Sequence, residues 1–449
     1  MVRWRIQLVT LVVMVRLVPI VAYGAGETNL VISGKSDERS SWESIFVEEN
    51  QIPFHINLYR HKGFYYELEN TDELKGPIAS AIFSKQTRLT GSLGGNLQVD
   101  VAAYQQDGDL PPVDNGIDIR RFRINSYGRS YFLTPLSYGV EFGYTAGTFY
   151  FNDGYLWFHD VPYVGSIKAG FFKAPMSLEA LESSSSTTLM EVPAPVSAFA
   201  PSYKFGMQLG DAVFAQRGTI YGGWYADAED PDSGDASSSY NRLIGRATWL
   251  PVDNTLSSRP QLVHLGISLG HMFAAGGMQF RSRPESYLAP YLVDTGEING
   301  DRAFVFGVES AWRKGPLSVQ AEYMHTTGDN EEGYVFNFGG FYLSGSWVLT
   351  GESRAYGRDV GVFKGIVPRD NMSLRNRTWG AWEWGTRYSH VDLTDAGISG
   401  GVMSVVSTGL NCYLTERNRL MFNVGYSEVS DSMADGDLLF VQSRLQILF

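Results

Sequence analysis

One cysteine, Cys412, stands among 449 residues, so no disulfide can form within the chain. It falls in the extended segment GLNCYL, where it reads as a small apolar residue of a strand. Histidine is sparse too: His55, His61, His159, His264, His271, His325 and His390 include no His-x-x-x-His pair or other close metal spacing. The expectation is a protein that is not an enzyme, with no catalytic residue, no metal site and no cofactor. Charged residues make up only 19%, and no clustered basic exterior suggests nucleic acid. Long apolar runs are missing as well. Leu8–Val15 and Leu17–Ala22 are divided by Arg16 and fall short of the ~20 residues a membrane-spanning helix needs.

That broken run, preceded by Arg3 and Arg5 and followed by Ala22-Tyr23-Gly24, reads as an export signal cut after Gly24, with Met14 as an alternative start. The chain then divides by expectation into a signal peptide, 1–24, an irregular N-terminal periplasmic segment, 25–77, and one sheet-forming region, 78–449. No heptads run through 25–77, and only FYYELEN (64–70) hints at a strand there. No linker or shift in composition divides the region after residue 90.

What the sequence has is period-two alternation. In IDIRRFRINSYGRSYF, Phe122 and Ile124 alternate with Arg121, Arg123 and Asn125, and in VGSIKAGFF Ile167, Ala169 and Phe171 oppose Ser166, Lys168 and Gly170. Such alternation marks antiparallel strands with one greasy and one polar face. Sixteen such segments can be counted between 93 and 449, separated by short joins such as TPLS, AQRG, RKGP and TERN and by long ones at 106–116, 174–202, 229–238, 274–301 and 351–378. An even number of strands near ~10 residues, abundant aromatics (25 Tyr, 26 Phe) and 49 glycines suit a closed transmembrane barrel with aromatic girdles. A soluble β-sandwich is the competing fold, and it does not explain a last segment that alternates Leu439, Val441, Leu445, Ile447 and Phe449 with Gln442, Arg444 and Gln446.

The sequence also resembles the phosphate-selective porin O and P family of bacterial outer-membrane barrels. The resemblance rests on the RRFR strand, GFFKAPMSLEAL with its Ser/Thr run and MEVPAPVSAFAP, and YKFGMQLGD. It continues in FRSRPES with VDTG, LTGESRAYGRDVGVFKGIVP, GAWEWGTRYSHVDL and the terminal RLQILF. It implies an all-β, closed antiparallel barrel of about 16 strands, long extracellular loops, an inward-folded constriction loop, an outer-membrane location and a homotrimer.

If the apolar parity meets lipid, the other parity carries Arg121, Arg123, Lys168, Lys204, Arg242, Arg246, Arg313, Arg387 and Arg444 against Asp100, Glu141, Glu309, Glu322 and Glu383. Removal of the first 24 residues leaves 33 bases against 48 acids, so the wall is basic although the chain is acidic. A basic constriction between low-dielectric walls concentrates anions. The alternative is that the lumen charges pair off across the barrel. The insert 174–202 is the candidate constriction. Where the resemblance implies a lysine beside the serine run, Ser183, Ser184, Ser185 and Ser186 are followed by Thr187, Thr188 and Leu189, so hydroxyls are offered without a fixed charge. The sequence thus points to a porin for small hydrophilic solutes favouring anions such as phosphate. Its expected partners are those anions, the lipid bilayer and lipopolysaccharide, the last through acidic loop residues Asp227, Glu229, Asp230, Asp232 and Asp235. A general or carboxylate/sugar channel, or a plugged adhesive barrel, stands as the alternative.

Overall fold

In lipid a backbone N–H or C=O has no water to bind, so extended segments survive only when every edge is paired. The computed structural model describes residues 31–35, 43–48, 54–60, 64–70, 88–132, 134–145, 148–226, 239–254, 260–275, 277–330, 332–430 and 435–449. The signal peptide 1–24 and the acidic residues 227–235 lie outside them, as does most of 25–87.

Four short strands open the chain: β1 (Val31–Lys35), β2 (Glu43–Glu48), β3 (Phe54–Arg60) and β4 (Phe64–Asn70). Then come β5 (Arg88–Gly108), β6 (Gly116–Phe132), β7 (Thr134–Thr145), β8 (Thr148–Val161) and β9 (Gly165–Lys173). Two short helices, α1 (Leu178–Leu181) and α2 (Ala194–Phe199), lie in the insert before β10 (Tyr203–Val213), β11 (Gly218–Ala226), β12 (Ser239–Asp253) and β13 (Gln261–Ala275). The two-residue strands β14 (Arg281–Ser282) and β15 (Val293–Asp294) precede β16 (Arg302–Lys314), β17 (Leu317–Asp329) and β18 (Val335–Val348). After β19 (Tyr356–Gly357) and β20 (Val362–Phe363) the chain ends with β21 (Ala381–Asp395), β22 (Ile398–Tyr413), β23 (Asn418–Ser430) and β24 (Gly436–Leu448).

From β5 to β24, leaving out the two-residue pairs, sixteen strands pair antiparallel with their neighbours, and β24 returns to β5 from Gly436↔Gly108 to Leu448↔Asn96. The sheet is a closed barrel. Its faces are inverted relative to a soluble protein: on β13 Leu265, Ile267 and Leu269 are exposed while His264 and Ser268 are buried, and on β24 Leu439, Val441 and Leu445 are exposed while Arg444 is 1% accessible. A sandwich would hide those leucines, so this distribution excludes it. At the seam, Gly95 N–H donates to the Phe449 carbonyl (2.8 Å), and a Cβ on Gly95 would overlap the Phe449 ring, so only glycine lets the last aromatic close on β5.

Two features differ from the sequence reading. The described parts of 25–77 are strands: FHINLYR pairs antiparallel with FYYELEN, and β4 pairs in turn with Arg88–Leu93 of β5, beyond the residues that β24 pairs. Antiparallel order also fixes which rim each connection occupies. The connection 349–380 leaves on the rim of the short turns and of Phe449, the periplasmic one by the usual barrel rule, while 174–202 and 276–301 leave on the other.

All three long connections fold inward. Met176, Ala194, Val196 and Phe199 of the first and Phe280, Leu292 and Val293 of the second pack on inner-face Phe336, Phe338, Tyr342, Val391, Met403 and Val405. That half of the interior is a hydrophobic core.

Candidate functional site

The inserts are held by buried charge. Glu322 on β17 accepts from Ser177 Oγ (3.1 Å) and from the backbone N–H groups of Leu178 (3.0 Å) and Glu179 (2.9 Å), so a strand carboxylate satisfies the first turn of α1. Further along, Thr188 Oγ1 donates to Glu383 (3.0 Å), Arg419 to the Thr187 carbonyl (2.8 Å) and Arg444 to the Met190 carbonyl (2.7 Å). Glu191 is gripped by Arg120 (2.9 Å) and Arg444 (2.6 Å). Burial opposes charge on Glu191, which lies outside the strands, but Arg120 and Arg444 outweigh it and hold its carboxyl well below the usual range. The insert 276–301 brings Glu285 at φ 57° into the interior, where it accepts from Arg387 (2.6 Å), Ser389 (2.6 Å) and Ser407 (2.9 Å). The periplasmic-side insert offers its Val360 and Gly361 carbonyls to Arg246 (2.8 and 2.9 Å), and its Arg354 reaches Glu182 of the first insert (2.7 Å).

The nine sequence-predicted bases fall into groups. Arg123 pairs with Glu141 (3.3 Å), Arg246 with Glu309 (2.7 Å), Arg387 with Glu285 and Arg444 with Asp100 (2.6 Å). Arg121 donates to Gln98 Oε1 (2.8 Å) and Arg313 to the Arg354 carbonyl. The Lys168 ammonium lies 3.8 Å from the centre of the Tyr155 ring. Lys204 and Arg242 share the parity of buried Gln208 and Ile244. The five predicted acids, Asp100, Glu141, Glu309, Glu322 and Glu383, are all buried.

The two inserts from the non-periplasmic rim lie against β13 and β16 to β24 and reach β5, and the third covers β11 to β13, where Tyr221 donates to the Asp359 carbonyl (2.6 Å) and His264 faces Tyr356 (2.7 Å). On the wall from β6 to β10 the first insert touches Arg120 and Lys173, while Arg121, Arg123, Lys168 and Lys173 keep partial accessibility. The serine run borders it: Gln98 joins the Ser184 carbonyl (3.2 Å) to Arg121, Ser183 is exposed, and Ser183 Oγ and Ser185 Oγ bond each other (2.8 Å). Thr187 is buried, and Thr188 is turned to Glu383 of β21.

Several residues escape a reading by alternation. A bulge sets Gln98 opposite Arg121 and Val99 opposite Ile119, so Arg120 is the extra residue and turns inward beside Arg121. Glu182, Glu191, Glu285 and Arg354 sit in irregular segments that have no parity. Lys173, whose Nζ donates to the Ala180 and Glu182 carbonyls (2.7 Å each), ends its strand. Gly266-Ile267-Ser268-Leu269-Gly270 matches the nucleophile-elbow pattern in letters, but it runs through the middle of β13 with no strand-to-helix turn. No group of three metal-ligating side chains occurs among the described residues.

Compared with known proteins, residues 92–449 match the family described as Phosphate-selective porin O and P. Porin O of Pseudomonas aeruginosa is 26% identical over 353 residues, 72% of this chain and 76% of that protein. Among solved structures, the anion-selective porin from Comamonas acidovorans aligns with a TM-score of 0.52 at 11% identity, over 80% of this chain and 100% of that one. A loop L8 deletion mutant of OmpT from Vibrio cholerae gives 0.50 at 12% identity, over 80% and 99%. At such identities these likenesses concern the fold.

Proposed function

The chain belongs to the phosphate-selective porin O and P family of outer-membrane porins, and from that membership we propose that it passes small hydrophilic anions by diffusion along the β6–β10 wall. One observation carries the reading. Arg387 and Arg444 are committed to Glu285 and Glu191 of the inserts and Arg246 to two insert carbonyls, whereas the partly accessible Arg121, Arg123, Lys168 and Lys173 outnumber Asp118, Glu141 and Asp153 on the β6–β9 wall. Half-buried charges beside a low-dielectric wall are weakly screened, so this excess attracts anions and repels cations. The serine run adds hydroxyl and backbone dipoles without a fixed charge, which suits permeation better than tight phosphate capture. A homotrimer completes the reading, supported by family membership, and chemical cross-linking in native membranes tests it.

A planar-bilayer recording under a KCl gradient tests the main claim. The expected result is a conducting pore whose reversal potential indicates chloride preference; a cation-selective potential contradicts it. The packed half of the interior favours a second reading, a plugged and non-conducting barrel, and that reading predicts no conductance.

A further inference from the structure

The β8–β9 wall carries rings as well as charge: Phe172 and Tyr225 are buried behind it, and Tyr155, Trp157 and Lys168 are partly accessible. Along β8 the inward positions after Asp153 are Tyr155, Trp157 and His159, with Trp157 and His159 centred 4.8 Å apart. Phe172 of β9 meets Tyr155 edge-on at 6.3 Å and Tyr225 of β11 at 5.9 Å. Gly139 of β7 lies directly across from Tyr155, and a Cβ there would come within 2.6 Å of the ring; the missing side chain lets the tyrosine lie along the wall. Lys168 reaches over this group, its ammonium 3.8 Å from the Tyr155 centroid, 4.5 Å from Phe172 and 5.3 Å from Trp157.

Such an arrangement holds a lysine without consuming its charge. Ring faces attract the ammonium and fix its place, yet among the described residues no carboxylate lies within ion-pair distance of it, although Asp153, held by the Tyr127 hydroxyl (3.0 Å), acts on it from farther away. Its N–H donors remain available to a solute, and Tyr155 and Trp157 stay partly accessible beside it. A bare inorganic anion would use the lysine alone, and a neutral sugar the rings alone. The geometry points to a recognition strip on β8 and β9 for organic anions with a flat apolar body, aromatic carboxylates being the simplest class. A carboxylate on Lys168 brings its own ring against Trp157 or Tyr155, in the offset or edge-on contacts that aromatic pairs favour. This assignment rests on the anion-conducting reading above and adds the solute class to it.

The test is block of chloride current through the full-length barrel in planar bilayers by benzoate, acetate, phosphate and glucose. Benzoate should block at a concentration about threefold to tenfold below acetate or phosphate, the range a single ring contact supplies, and glucose should block least. Tyr155→Leu and Trp157→Leu should each bring the benzoate-to-acetate ratio toward one, Lys168→Met should weaken both carboxylates, and Trp347→Leu on the lipid face should leave the ratio as it is. Equal block by benzoate and acetate in the unaltered protein overturns the strip, as does block by glucose at benzoate's concentration or an undiminished ratio in conducting Trp157→Leu barrels. In each of these cases a chloride-selective reversal potential leaves anion conduction standing; loss of that potential removes both proposals.

Discussion

Glu285 shows what single side chains do inside this barrel. It is 3% accessible and satisfies Arg387, Ser389 and Ser407 together, so Glu285→Gln leaves a buried guanidinium with only the more distant Glu179, 3.8 Å away, as its counter-charge. Breaking one member of such a pair costs about 3–5 kcal/mol, which should appear as a lower temperature for loss of the folded form in detergent; an unchanged transition would contradict the fastening role. Glu191 gives a pH-dependent counterpart. Its carboxyl is depressed in the folded protein, so its contribution is complete above the unfolded value of about 4.3 and declines only as pH falls from there toward the folded value. The stability difference between the unaltered protein and Glu191→Gln should therefore be constant from pH 7 to 5 and shrink below about pH 4. Alternation suffices to put Arg246 on the inner face, but no pattern announces that Glu309 and two loop carbonyls meet it there. Arg120 was illegible for a different reason, since one extra residue in β6 breaks the period that a sequence reading relies on.

Strands and inserts differ in how far the sequence betrays them. Each barrel strand carries its own signature, because lipid demands an apolar outer parity along its whole length, and residues such as Leu265, Ile267 and Leu269 satisfy that demand locally. The inserts carry no such signature. Their places depend on distant partners: Glu182 meets Arg354 across 172 residues, and Thr188 meets Glu383 across 195. Even the rim on which 349–380 emerges follows only from the order of strands. The Arg354–Glu182 contact joins inserts that enter from opposite rims, and Arg354 also holds the Ser186 carbonyl (3.2 Å). Arg354→Ala should free the periplasmic-side insert from the serine run and raise single-channel conductance, with larger current fluctuations. An identical conductance would mean that the two inserts do not narrow a common passage.

At the scale of the molecule, an acidic chain carries its strand bases on the inner face of the barrel. Topology separates these charges and commits Arg246, Arg387 and Arg444 to the inserts, so on the proposed reading the sign of the whole chain does not set the sign of the pore. On that reading, the bases with neither a carboxylate partner nor an insert to hold act most strongly on a passing ion. Arg121 and Lys168 meet that description, since one bonds a neutral glutamine and the other rests on rings. The reversal potential of the Arg121→Glu/Lys168→Glu double variant under a KCl gradient is the most direct test. The account predicts a shift from chloride preference toward potassium with conductance retained, and a potential equal to that of the unaltered barrel would contradict it.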